Sequence, residues 1–283
     1  TQNNATNQYG MSAIDVIAVT ERTVESKLNS ELIKLTDTVN HMLAPVYEKM
    51  WHVEQLKQYV ETEVTEKLSK LPPENIVSPA PNVVVPALEC LRYSGSVDEL
   101  RDMFTNLIAS SMYKKLSEDA HPAFGEIIKQ LTAGEATFLK KLSCCELKPV
   151  ITLNQKIDGK GELPVIRHFT MIGRSQNSLE PYKNESVLDN LSRLGILNIP
   201  SSKHYVEESA YELLENDAFI KNQLINIEKP SNVTAEITRQ FINLTDFGKK
   251  FIDICIRGSQ EEVFGFPSSL PKDWKSFFDG LKD

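Results

Sequence analysis

Residues 72–142 read PPENIVSPAPNVVVPALECLRYSGSVDELRDMFTNLIASSMYKKLSEDAHPAFGEIIKQLTAGEATFLKKL. A proline-rich opening leads into four short amphipathic helical patterns. Ser96-x-x-Glu99 and Thr132-x-x-Glu135 both have the spacing of a capping box, in which side chains satisfy the free amides of a helix start. Behind Ser96, the residues Val97, Leu100, Met103, Phe104, Leu107 and Ile108 fall on one helical stripe. Behind His121-Pro122 come Phe124, Ile127, Ile128 and Leu131. The periodicity is that of helices sharing a core, and Phe104 is expected to pack with Phe124 and Ile128.

The same residues carry a family resemblance. The run from Pro72 through Leu88 is followed by Leu100-x-x-Met103-Phe104-x-x-Leu107-Ile108-Ala109-Ser110, then His121-Pro122-Ala123-Phe124 and Ile127-Ile128-Lys129-Gln130-Leu131-Thr132. Together they resemble the bacterial Abi-alpha family, whose name links it to abortive infection, a form of phage defence. The resemblance is strongest over residues 70–142, fainter from Leu43-Ala44-Pro45 to Leu71, and vague beyond Pro149. It rests on helical packing positions and a His-Pro turn. It carries no catalytic motif, so it assigns no functional residue.

Upstream, residues 11–43 form an uninterrupted helical pattern with Ile14, Ile17, Val24, Leu28, Leu32, Leu35 and Val39 on its stripe. Pro45 interrupts it, and a second stripe continues through Tyr47, Met50, Trp51, Val60, Val64 and Leu68. A stripe this long must be covered by later helices or by another copy of the chain. Self-association is therefore expected, with Met50 and Trp51 as candidate interaction residues. The connector Ser78-Pro-Ala-Pro-Asn82 offers Asn82 as the cap of the next helix, which tolerates Pro86 near its start and ends at Ser94-Gly95.

From Thr132 onward the pattern changes. A β-like run at 148–153 and a run at 164–169, strand-like or a short helix start, flank the polar turn Asp158-Gly-Lys-Gly161. Residues 184–195 read as a helix with Val187, Leu188, Leu191 and Leu194 inward, stopped by Gly195. A short strand (196–199), helical pieces at 211–215 and 218–225, and an alternating strand at 236–243 follow. Thr245 then caps a final helix, Asp246 to Ile256, which stops at Gly258. The Arg193-Leu-Gly-Ile-Leu197 exit and the Leu244-Thr-Asp-Phe-Gly248 start resemble a winged-helix module, with 200–232 as an unusually long wing. Such modules read DNA with the helix before the wing. Here that helix presents Asn184, Glu185, Asp189, Asn190, Ser192 and Arg193. Arg193 is the residue suited to phosphate or guanine, and two carboxylates oppose it. DNA binding is possible there but disfavoured.

No residue set has the spacing of a catalytic, cofactor or metal site. The histidines His41, His52, His121, His168 and His204 form no metal-binding pair. Glu118-Asp119-x-His121 reads as a helix start rather than as a ligand set. Cys90, Cys144, Cys145 and Cys255 lie in apolar helical patterns, and the vicinal pair reads as two reduced thiols, one of them buried. After Gly258, Trp274, Phe277, Phe278 and Leu281 fit a short amphipathic helix. It reads as a docking tail on the chain's own core, and Trp274 and Phe278 are the candidate anchors if it binds a partner.

Composition sets the outer bounds. The 283 residues, 41% hydrophobic and 25% charged, suit a soluble globular chain. No apolar run approaches the ~20 residues of a membrane span. The polar opening TQNNATNQYG has no signal-peptide character, so a cytoplasmic location is expected. The chain opens on Thr1, which leaves room for a segment upstream of it. The net charge of −8 opposes general nucleic-acid binding. The expected fold is mainly α: a helical amino-terminal region (1–125), a small α+β, winged-helix-like region (126–258) and a docking tail (259–283). Three functions remain open. They are a non-enzymatic defence protein acting through protein contacts, a winged-helix regulator, and an enzyme whose site has no recognisable motif.

Overall fold

A computed structural model of the chain describes residues 50–172, 183–228 and 232–258. Met50 and Trp51 belong to a first unit, Thr1–Trp51, and the other described residues to a second, His52–Asp283. The stripe of residues 14–39 and the tail residues Trp274 and Phe278 lie outside the described residues.

Helix α1 (Val53–Leu68) buries Val64 and Leu68, and Leu56, Tyr59 and Val60 pack on the same core. These positions recur every three or four residues, so one face of the helix is covered. Helix α2 (Pro81–Ser94) starts with Ala80 as its N-cap and Pro81 in its first turn. Proline has no amide to leave unsatisfied there. Asn82 therefore sits inside the helix and does not cap it, contrary to expectation. Pro86 is an interior residue of the same helix.

Helix α3 (Asp98–Ser111) corrects a second cap. Its N-cap is Val97, with no side-chain bond, and Ser96 lies outside the helix. The Val97 amide closes a turn onto the Ser94 carbonyl (2.9 Å), which carries the chain from α2 directly into α3. Asp98 and Glu99 occupy the first turn, where they complement the exposed amides. From Met103 to Ser111 every residue of α3 is buried, so this helix runs through the middle of the core.

Helix α4 (Ala123–Lys129) follows His121-Pro122, and His121 Nδ1 accepts the Ala123 amide at 3.0 Å. Helix α5 (Ala133–Cys144) has the expected capping box. Thr132 Oγ1 accepts the Glu135 amide (3.2 Å), and Glu135 Oε2 accepts the Thr132 amide (2.7 Å). Phe104, Phe124 and Ile128 are all fully buried in one cluster that runs from Val64 to Cys255.

Strand β1 (Pro149–Ile157) turns into β2 (Gly161–Phe169), and helix α6 (Lys183–Arg193) leads to β3 (Leu197–Asn198). Helices α7 (Ser209–Glu215) and α8 (Ala218–Ile227) precede β4 (Val233–Phe241), β5 (Asn243–Leu244) and α9 (Asp246–Phe251). The three long strands form an antiparallel sheet in the order β2-β1-β4, and β3 pairs with β5. Residues 196–199 and 236–243 follow one another as strands in the sequence but do not pair as such. Instead β4 pairs along its whole length with β1, from Pro149↔Phe241 to Ile157↔Val233, and only Leu197↔Leu244 and Asn198↔Asn243 join the shorter pair. Residues read as a long wing form α7 and α8. Ala210, Tyr211, Leu214, Ile220 and Ile227 bury themselves with Ile151, Leu153 and Ile166 in a second core.

The two motifs that suggested a winged helix do meet. Thr245 caps α9 through the Gly248 amide (2.8 Å), and its hydroxyl donates to the Gly195 carbonyl (2.6 Å). A β-carbon on Gly248 would lie 1.9 Å from the Ile196 carbonyl oxygen, so that position requires glycine. The chain then enters a π-helical segment, Ile252–Arg257. The last carbonyls of a helix have no partner within it. Asn106 Nδ2 serves Cys255 and Ile256, and Ser110 Oγ donates to Ile254 at 3.1 Å.

Candidate functional site

The candidate surface is α6 together with the strand beneath it. Strand β2 carries two extra residues relative to β1. Asn154 faces Pro164, Leu153 faces Ile166 and Ile151 faces Phe169, so β2 shifts register twice. The second shift sets Arg167 and His168 opposite Thr152. His168 adopts φ 55°, a left-handed conformation unusual for a residue other than glycine. Its amide donates to Thr152 Oγ1 at 3.3 Å, and the Thr152 hydroxyl donates to Gln240 Oε1 at 2.9 Å. Asn154 Nδ2 donates to Thr238 Oγ1 at 2.9 Å on the next rung.

The bulge turns Arg167 onto α6. Its amide donates to Glu185 Oε1 (2.6 Å) and its guanidinium to Asp189 Oδ2 (3.0 Å). Two carboxylates thus offset one cation. The His168 Nδ1 atom is buried with no hydrogen-bond partner. Burial, and then the neighbouring Arg167 charge, hold its pKa below the ordinary 6.5, so its ring is uncharged at neutral pH.

The opposite end of α6 is bound to the α4–α5 junction. Asn190 Nδ2 donates to Glu135 Oε1 at 2.7 Å. Arg193, the candidate nucleic-acid residue, donates to Asn190 Oδ1 (2.7 Å) and Gln130 Oε1 (3.1 Å). Glu185, Asp189, Asn190 and Arg193 are therefore all engaged with other parts of the chain. The Thr152 hydroxyl is bonded to an amide oxygen rather than to a base.

Of the other sequence candidates, Met50 and Trp51 are each half-buried. The second stripe, expected to drive self-association, is covered within the chain at Val60, Val64 and Leu68. Cys145 is buried and Cys144 half-buried, and both are free thiols; burial pushes the Cys145 thiol up to about 11. Among the described residues no group of three or more His, Cys, Asp or Glu side chains converges to hold a metal. No described helix is long and apolar enough to cross a membrane.

Sequence reasoning did not find the Arg167–His168 bulge. The available signal was Thr152 and Asn154, polar residues breaking the apolar run of β1. The left-handed backbone at His168 leaves no mark in the sequence.

A comparison with known families finds that the family model described as Abortive infection alpha matches residues 53–255. The match runs from the start of α1 into the π-helical segment and includes all of α6 and the sheet. No curated protein and no solved structure matches the chain.

Proposed function

The chain belongs to the abortive infection alpha family, and on that premise we propose that it is a non-enzymatic, cytoplasmic component of bacterial phage defence that works through protein contacts. The observation that carries this reading is the internal use of α6. Its Glu185, Asp189, Asn190 and Arg193 side chains hold the fold together and are not free to read bases or to carry out chemistry. The bonding of His121 Nδ1 to the Ala123 amide gives that histidine a structural role as well.

In this reading residues 1–125 and 126–258 are two functional stretches, and the winged-helix-like part is a structural module. Recognition falls to the Met50–Trp51 neighbourhood and to the aromatic tail with Trp274 and Phe278. The same residues are the ones to test for self-association, since Val64 and Leu68 are already buried.

The test is phage plating on cells that carry the chain, compared with Trp51→Ala, Trp274→Ala and Phe278→Ala variants of unchanged melting temperature. Loss of protection in one or more variants is expected. Full protection by the triple variant would overturn the contact reading. Light scattering at tens of micromolar is expected to give more than the monomer mass, and a strictly monomeric mass would remove self-association from the proposal. In a gel shift at physiological salt, duplex DNA should bind weakly or not at all; tight sequence-specific binding would favour a regulator instead.

A further inference from the structure

We propose that the Arg167–His168 bulge is a proton-responsive hinge, in which protonation of His168 releases the bulge and, with it, the hold of β2 on α6. The bulge is a backbone conformation kept in place by its bonds. His168 has φ 55° and is the one non-glycine residue with positive φ among the described residues. Its amide is tied to Thr152 Oγ1, and the preceding amide to Glu185 Oε1. Without those bonds the residue would return to extended backbone, which is favoured for side chains other than glycine.

The ring is suited to one protonation state. Nδ1 is buried and has no acceptor, so it fits as a bare lone pair and not as a charged N–H. The charged groups around it are Arg167 on its own strand and Glu185 and Asp189 on α6; β1 contributes the uncharged Thr152. The two carboxylates favour an imidazolium, but they are already bound to Arg167, and burial together with the guanidinium outweighs them. Because the folded pKa lies below the ordinary 6.5, the unfolded chain takes up the proton first as pH falls. The bulge's contribution to stability is complete above about 6.5 and declines as pH drops from there toward the folded pKa. An imidazolium that swings out to water relaxes φ, and Arg167 leaves Glu185 and Asp189.

The test compares the full chain with His168→Asn, since asparagine tolerates the left-handed region and does not titrate. Between about pH 7.5 and pH 5.5 the melting temperature of the wild type should fall further than that of the variant. Equal falls would overturn the hinge. A second measurement does not depend on the variant folding. In the wild type, the His168 ring proton should titrate with a midpoint below 6.5, and the Arg167 Nε–H resonance should shift in step with it. A midpoint at or above that value, or an Arg167 signal that stays constant through the titration, would overturn the proposal.

Discussion

Asn106 and Cys255, 149 residues apart in the chain, are joined by a buried hydrogen bond of 3.1 Å from Nδ2 to the Cys255 carbonyl. The same nitrogen serves the Ile256 carbonyl at 3.1 Å, so one amide anchors the π-helical turn in which the described chain ends. Asn106→Ala leaves both carbonyls without that donor and is expected to cost about 1–3 kcal/mol by urea unfolding. Gly258→Ala attacks the same point from the other side. It has φ 64°, and an added β-carbon would lie 2.9 Å from Asn106 Oδ1, so a loss of at least ~1–2 kcal/mol is expected. If both variants unfold at the wild-type midpoint, the anchor contributes nothing.

Phe104 and His121 should respond in opposite ways. Phe104 is fully buried, and Phe104→Ala is expected to cost about 3–5 kcal/mol, seen as a fall of several degrees in melting temperature or as loss of soluble protein. His121→Ala removes one exposed cap-like bond and ring contacts to Phe124 and Phe247, a cost of about 1 kcal/mol or less. Glu118→Ala should change stability little, and phage protection should survive both exposed changes. A folded His121 variant that protects no cells would show that Glu118-Asp119-x-His121 has a function beyond scaffolding.

The link from Glu135 to Asn190 lends itself to a double-mutant cycle. Glu135 is buried, caps its own helix and accepts a bond from Asn190 Nδ2 at 2.7 Å. The single changes Glu135→Gln and Asn190→Ala should each destabilise, and together they should cost less than their sum by about 0.5–3 kcal/mol. Strict additivity would mean that α6 is not held at this point.

The vicinal cysteines should separate in alkylation. Cys145 is buried with its thiol pushed up to about 11, while Cys144 is half-buried. Brief iodoacetamide treatment of the native protein at about pH 8 should label Cys144 ahead of Cys145, Cys90 and Cys255, as read by mass spectrometry of peptides. Preferential labelling of Cys145 would contradict the burial.

The helical half of the fold was legible because its signals are local. The Leu100–Ile108 stripe, the Thr132–Glu135 box and the His121-Pro122 helix start each lie within a turn or two of chain. Two caps were misread, at Ser96 and Asn82. In both cases the competing event was also local but silent in the pattern: a tight turn from α2 to α3, and Pro81 taking the first helical turn. Strand pairing was harder to read. Strand β1 is separated from β4, and β3 from β5, by long stretches, and alternation in residues 236–243 says that a strand exists without naming its neighbour. The meeting of Gly195-Ile196 with Thr245–Gly248 was foreseen only as a motif order, yet the close approach at Gly248 explains the glycine. Of the candidate site, Arg193 was visible as a charge. Its bonds to Asn190 and Gln130, and the bulge that brings Arg167 to Asp189, belong to tertiary structure alone.

The paired register shifts in β2 also bear on how the protein behaves when crowded. A flat, evenly spaced outer strand is a template onto which further chains can stack, the first step towards fibrous aggregates. Strand β2 is a poor template, because the shifts around Leu153 displace its outward-facing backbone groups and Pro164 withholds an amide. Among the described residues the other outer strand is β4, whose pairing has no such interruption. If concentrated or heated protein forms fibrils, growth should begin there, and a proline placed at the exposed Thr234 should delay it, whereas one at Leu163 should make little difference.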